Sequence, residues 1–211
     1  MQWAWSKDLS IGGMEKSELL EPLETIPNLA DTDPEAFSEW KRKAKQIYEY
    51  NFRSNGRRMR CLKILNIAKR YAEMDEFYFP YQMDYRGRVY ALPSYVNPQS
   101  CDFGRSVLQF ADGVAINNYE DSRWLRIHGA NVFGVKGSFV KRLDWVDKKK
   151  DLILECANDP LECTWWHEAS DPWAFIHFCF EFAEFKEQGW GFKTKLPCHM
   201  DASCNAIQIL S

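Results

Sequence analysis

The chain has 211 residues, with 27 Lys and Arg against 30 Asp and Glu and a formal net charge of −3. Hydrophobic residues at 45% and charged residues at 27% are ordinary globular usage and exclude a disordered tail, a collagen-like repeat and a coiled-coil rod. The length suits one medium domain, or one and a half small ones, and is ample for a buried core.

Taken as an average, mild acidity argues against nucleic acid, but the charge is not uniform. Residues 1–39 carry two basic and nine acidic side chains, and residues 71–211 carry fourteen basic and twenty acidic. Between them, residues 40–70 hold eleven basic side chains and one acid, Glu49. A block of +10 within 31 residues is a local electrostatic footprint of the kind that phosphate backbones attract, or else a solvated helical face.

The seven cysteines include no C-x-x-C, which favours reduced thiols. The four histidines show no zinc spacing; Cys198, His199 and Cys204 read better as incidental thiols on a buried strand than as a metal cluster. No apolar run reaches the roughly 18 residues of a membrane span. The N-terminus resembles neither a signal nor a transit peptide.

In chain order, residues 1–33 read as an irregular lead-in. Asp33-Pro34-Glu35 is a strong helix start, with Asp as N-cap and Pro at the first helical position. Phe37, Trp40, Ala44, Ile47 and Tyr48 then predict an amphipathic helix over 34–51, with Lys41, Arg42 and Lys45 on its other face. Ser54-Asn55-Gly56 predicts a break. A second helix over 57–74 is expected, antiparallel to the first, with Met59, Leu62, Leu65, Ala68 and Ala72 inward. Arg57, Arg60, Lys63 and Arg70 fall within about 140° on it. Two basic helices would hold one phosphate backbone.

From 76 the character changes. Short strands are expected over 76–81 and 88–92, then a loop carrying Pro93, Asn97, Pro98 and Gly104. Helices are expected over 121–133, about 141–157, and 172–187 ended by Gly189. A strand from Thr194 to Met200 delivers Asp201. The fold class is α+β.

Two constellations carry chemistry. Asp84-Tyr85-Arg86-Gly87-Arg88-Val89-Tyr90 sets two arginines around a glycine; guanidinium forks suit phosphate oxygens. The same pattern also suits an exposed turn closed by an Asp–Arg pair. Pro197 to Gln208 brings Asp201 to the tip of an apolar strand, followed by the small residues Ala202, Ser203, Cys204 and Ala206. A carboxylate so placed offers oxygen to a hard cation such as Mg²⁺, or simply caps the next helix.

Together these stretches resemble the single-subunit, bacteriophage-type DNA-directed RNA polymerases, which include the mitochondrial enzymes. The matching segments are Pro34-Glu35-Ala36 with Trp40-Lys41-Arg42, Phe79 to Ala91, Asn97-Pro98-Gln99, Trp124 to Asn131, Pro160-Leu161-Glu162 with Thr164-Trp165-Trp166, Phe178 to Glu181, and Pro197 to Gln208. They run in family order from residue 34 onward.

The resemblance implies a right-hand polymerase, with 34–75 as a helical thumb-like segment and 76–211 as the N-terminal part of the palm. It implies nucleic-acid contacts at Arg86 and Arg88, with Tyr90 packed beside them, and at Arg105; Arg57, Arg60 and Lys63 belong to the thumb's basic face. It implies that Asp201 is the first of two catalytic aspartates binding two Mg²⁺ ions, with the Ala202 carbonyl as a further ligand. The partners would be a DNA template, an RNA transcript and NTPs, with no membrane. The setting would be the host cytoplasm for a phage enzyme, or the mitochondrion as the alternative.

Ala202 and Ala206 stand where the family commonly has Gly, and Ile209 where it often has His. The family's nucleotide-binding Lys and sugar-selecting Tyr helix and its second aspartate are not in the sequence, so they would be supplied in cis or by a second chain. The chain alone is expected to be inactive. A non-catalytic nucleic-acid-binding module, or a remnant of such a polymerase, is the alternative.

Overall fold

The computed structural model describes residues 11, 19–24 and 33–198. It falls into two compact units, Met1–Val107 and Leu108–Ser211. The architecture is α+β, with helices and, among the described residues, two small antiparallel sheets.

The first unit is built on α1, Pro34–Tyr71. The Asp33 carboxylate accepts from the N–H groups of Glu35 and Ala36, as the cap signal predicts. The expected break at Ser54-Asn55-Gly56 is absent: α1 is one 38-residue helix, not two antiparallel ones. Keeping Ser, Asn and Gly helical costs roughly 2 kcal/mol in propensity. Ending one helix and starting another would instead strand four carbonyls and four N–H groups. The buried stripe also differs from the expected one. Ala44, Ser54, Cys61, Ile64 and Leu65 are buried, whereas Tyr48 and Met59 are exposed. Segment 19–24 lies along α1: the Asn51 amide exchanges two hydrogen bonds with the Leu20 backbone, and the Trp40 indole donates to the Glu24 carbonyl.

β1 (Tyr81–Met83) and β2 (Val89–Ala91) form an antiparallel hairpin with Gln82 opposite Tyr90. The expected first strand is thus displaced: 76–80 are irregular and pairing begins at Tyr81. The loop that follows leads to the four-residue α2, Asp102–Arg105. A Cβ on Gly104 would overlap Ser100 and the Tyr95 carbonyl, so only glycine fits there.

In the second unit, β3 (Val114–Ile116) precedes α3 (Tyr119–Phe133), α4 (Phe139–Lys148) and α5 (Lys150–Asn158). The single helix expected over 141–157 is two, meeting at Lys149, whose φ of −100° and ψ of 8° leave helical geometry. A 3₁₀ turn, Thr164–Glu168, leads to α6, Pro172–Gln188. As its aromatic density predicts, α6 is buried on most sides: Trp173, Phe175, Phe178 and Phe182 are at most 1% exposed. Phe133, Trp145, Trp165 and Phe175 pack as a cluster with ring centroids 4.7 to 6.4 Å apart.

Gly189 ends α6 at φ +74°. β4 (Phe192–Thr194) then pairs antiparallel with β3. The strand expected from Thr194 to Met200 is therefore misplaced. It lies earlier, and 195–198 are not strand. Pro197 has no N–H to offer a ladder. Residues 199–211, including Asp201, lie outside the described residues.

Candidate nucleic-acid interface

The Arg-Gly-Arg turn is fixed from its own sequence. The Asp84 carboxylate accepts from the backbone N–H of Arg86 at 2.8 Å and of Arg88 at 3.0 Å. Gly87 N–H closes the turn on the Asp84 carbonyl, and Asp84 N–H donates to the Arg88 carbonyl. Gly87 sits at φ +77°, a region L side chains rarely adopt. The Gln99 side chain pins the outer edge of β2, accepting from Ala91 N–H and donating to the Val89 carbonyl.

This arrangement removes the Asp–Arg pair expected of an exposed turn. Asp84 binds backbone, not an arginine. Among the described residues no carboxylate pairs with either guanidinium; Arg86 donates to the Tyr85 hydroxyl at 2.9 Å and lies over its ring. Arg86 and Arg88 are both exposed. By strand alternation Arg88 and Tyr90 share a face, and Tyr90 is 41% exposed. Both guanidiniums are thus exposed at the tip with no carboxylate partner among the described residues.

The continuity of α1 rearranges the basic block. At 100° per residue, Lys41, Arg42, Lys45, Arg53, Arg60, Lys63 and Arg70 fall within about 120° of one face. All seven are exposed, and they extend over about 44 Å at 1.5 Å per residue. Glu49 lies among them, 3.9 Å from both Lys45 and Arg53. Arg57 does not belong to this face. It points toward the buried stripe, where its guanidinium donates to the Ser54 hydroxyl at 3.5 Å. Lys63 donates to the Tyr95 hydroxyl at 2.9 Å and sits over that ring.

Arg105 stands apart in character. It is half-buried on α2 with its guanidinium 3.9 Å from the Asp102 carboxylate. Asp201 and Ala202 lie outside the described residues. What is described is the path toward them. Leu196 and Cys198 line a cleft of about 410 Å³ together with Phe110, Ile116, Trp124 and two carboxylates, Asp112 and Asp121. Among the described residues no group of three or more His, Cys, Asp or Glu could hold a metal ion.

One residue that sequence reasoning passed over is Glu181. It is 7% exposed on α6, and its carboxylate accepts from the Thr194 hydroxyl at 2.7 Å. Burial pushes its carboxyl above the ordinary range, against the hydrogen bond from Thr194.

Comparison with known proteins adds the lineage. The family described as DNA-dependent RNA polymerase matches residues 117–211. Over the whole chain the sequence is 38% identical to the DNA-directed RNA polymerase of Enterobacteria phage T3 and to T7 RNA polymerase of Escherichia phage T7. The chain's sequence is similar throughout to single-subunit, phage-type RNA polymerases. The mitochondrial branch is similar too: a mitochondrial DNA-directed RNA polymerase of Neurospora crassa is 36% identical over 89% of the chain. The chain spans 23% of the length of the two phage polymerases and 14% of the Neurospora polymerase. No described helix is long and apolar enough to cross a membrane.

Proposed function

We propose that this chain is the nucleic-acid-gripping and first-carboxylate portion of a DNA-dependent RNA polymerase. In this reading it acts on a DNA template, an RNA transcript and NTPs together with the remainder of a polymerase. The observation that carries the reading is the alignment of the entire chain, basic helix and Arg-Gly-Arg hairpin included, with phage polymerases at 38% identity.

Each segment then has a task. α1 is the thumb-like element, and its basic face tracks a phosphate backbone by charge alone, without reading sequence. Residues from 76 onward open the palm. The hairpin holds Arg86 and Arg88 against the template strand or the RNA–DNA hybrid, and Tyr90 supports them from the same face. Arg105 adds a further basic contact, partly neutralised by Asp102.

Asp201 and the Ala202 carbonyl offer only hard oxygen donors, a set that suits Mg²⁺. When bound, the metal supplies activation of the RNA 3′-hydroxyl and neutralisation of the triphosphate and leaving pyrophosphate. One carboxylate cannot hold two cations, so the remaining ligands come from the rest of the polymerase, in cis or as a second chain.

The test is complementation. The chain mixed with the remaining segment of the T7 relative should incorporate nucleotides on a primed template. Asp201→Asn should abolish incorporation while hybrid binding stays intact. Undiminished synthesis by that variant would remove Asp201 from the mechanism. Absence of synthesis by the wild-type mixture, with binding retained, would favour the non-catalytic binding module.

A further inference from the structure

We propose that Cys156 and Cys163 form a redox modification site, a thiol pair that hydrogen peroxide oxidises to a reversible disulfide staple across the end of α5. The inference stands on the second unit alone and does not depend on the polymerase reading.

The two cysteines lie seven residues apart, a spacing that matches no common metal or redox motif. The fold brings their side chains together. Cys156 lies on α5 and is fully buried, and Cys163 is the half-buried N-cap residue of the 3₁₀ turn. Their Sγ atoms are 2.8 Å apart, and the Cys156 thiol also meets the Cys163 carbonyl at 3.8 Å. A disulfide bond is about 2.05 Å long, so the sulfurs need to close by under an ångström.

The backbone holds that approach independently of the sulfurs. The Asp159 N–H donates to the Glu155 carbonyl at 2.9 Å, and the Cys163 N–H donates to the Asp159 carbonyl at 3.0 Å. The Asp159 carboxylate accepts from the Leu161 and Glu162 N–H groups, and the Trp166 indole donates to the Pro160 carbonyl at 2.8 Å. A loop fixed at both ends and in its middle keeps its two thiols within reach before any reagent arrives.

The roles differ by exposure. Burial, followed by the contact with Cys163, pushes the Cys156 thiol far above its ordinary value, so it stays protonated and does not react first. Cys163 is partly open to solvent. An accessible sulfur beside a second thiol is the arrangement of a sensor with its resolving partner. In the first step the Cys163 thiol gives its proton to water and its thiolate attacks one peroxide oxygen. The O–O bond breaks, and the released hydroxide takes up a proton to become water. Cys163 is then a sulfenic acid. In the second step the Cys156 sulfur attacks the Cys163 sulfur. The S–S bond forms as the S–O bond breaks, and hydroxide leaves with the Cys156 proton as water. Two electrons pass from the sulfur pair to one peroxide, and a dithiol reductant reverses the change. Cys179 on α6 is the rival partner: burial raises its thiol well above the ordinary value, with further contributions from Cys156 and Cys163.

The experiment treats the native chain with hydrogen peroxide, blocks the remaining thiols and cleaves after glutamate. Residues 156–162 should appear joined to residues 163–168 with the loss of two hydrogens, and a dithiol should separate them. The oxidised chain should melt several degrees higher than the reduced one, since the bond closes a loop in the unfolded chain. Cys163→Ala should leave Cys156 unmodified under the same treatment. Cys156→Ala should trap Cys163 as a sulfenic acid that a dimedone probe captures. Cys101→Ala should form the link as the wild type does. In urea the wild type should scatter its links over the seven cysteines.

A native product as scattered as the urea product overturns the inference. So does a link through Cys179, or a sulfenic acid that persists on Cys163 in the wild type. An unchanged melting temperature overturns the staple. The mapping is read on the wild-type chain, so it decides the matter if a variant folds poorly.

Discussion

Asp84 directs its carboxylate at two backbone N–H groups, and the availability of the two arginines depends on that choice. Had it paired with Arg86 or Arg88, one of the two guanidiniums would be occupied. The role is a geometric one, so an amide oxygen should fill it: Asp84→Asn should keep hybrid affinity. Asp84→Ala leaves both N–H groups to water and loosens the turn by about 1 kcal/mol. It should weaken hybrid binding severalfold despite making the chain more positive, and equal binding by the two variants in a filter or anisotropy titration would refute the clamp. The Arg-Gly-Arg pattern is legible in the sequence because it is local. The target of Asp84 is not, since its carboxylate has arginines and N–H groups equally near in sequence. His167 gives a second prediction at this scale. Burial pulls its imidazole below the ordinary value of 6.5, so the folded chain disfavours the proton that the unfolded chain accepts. Stability is then full above that ordinary value and falls as pH drops through the lower, folded one. Denaturant midpoints measured across that window should decline in the wild type and decline less in His167→Gln. Glu181, raised by burial, works in the opposite sense at lower pH, where protonation favours the folded state.

Glycines separate the elements by sign. Gly56 lies inside α1 with nothing within 4 Å of where a Cβ would sit. Gly56→Ala should stabilise the first unit by about 1 kcal/mol through helix propensity alone. Gly129 lies inside α3, where a Cβ would overlap the ring of Phe178 on α6. Gly129→Ala should destabilise the second unit by about 3 kcal/mol, because the two helices must part. Equal effects in thermal or denaturant unfolding would contradict the packing of α3 on α6. Sequence pattern treats both residues alike, as weak points in a helix, and that is why it breaks α1 at Gly56 where the structure continues. The start of α1 is legible because a cap needs only Asp33 and the next three residues. Its continuity depends on the unmet hydrogen bonds of a helix end, a cost no composition count contains. The limits of β4 are hidden for a related reason. Its partner is β3, far away in sequence, and Thr194 is bound to Glu181 by a contact across thirteen residues.

At the level of the whole molecule the net charge of −3 is a poor guide and its distribution a good one. The +10 block is visible by counting, but its geometry follows only from a single helix. With seven cations on one face, hybrid affinity should fall steeply with salt. Replacing Arg42, Arg60 and Arg70 by Ala should reduce the slope of log K against log salt by about 0.7 to 0.9 for each phosphate no longer neutralised. Lys69→Ala, on the far side of α1, should leave the slope unchanged, and a reduction as large as for the face positions would refute the assignment. Asp201 marks the boundary of what local reading supplies: its motif is recognisable in the sequence, and it lies outside the described residues.

The pairing of β3 with β4 also bears on the order in which the chain acquires its shape. Val114 meets Thr194 across about 80 residues, whereas α3 with α4, α4 with α5, and α5 with α6 are chain neighbours. Loop closure therefore delays the two-stranded ladder until the helices between its strands have condensed. In a pulsed exchange experiment the amides within α3 and α4 should gain protection before those that join Ile116 to Phe192. That ladder would then be the part of the unit that forms last during refolding and opens first under denaturant.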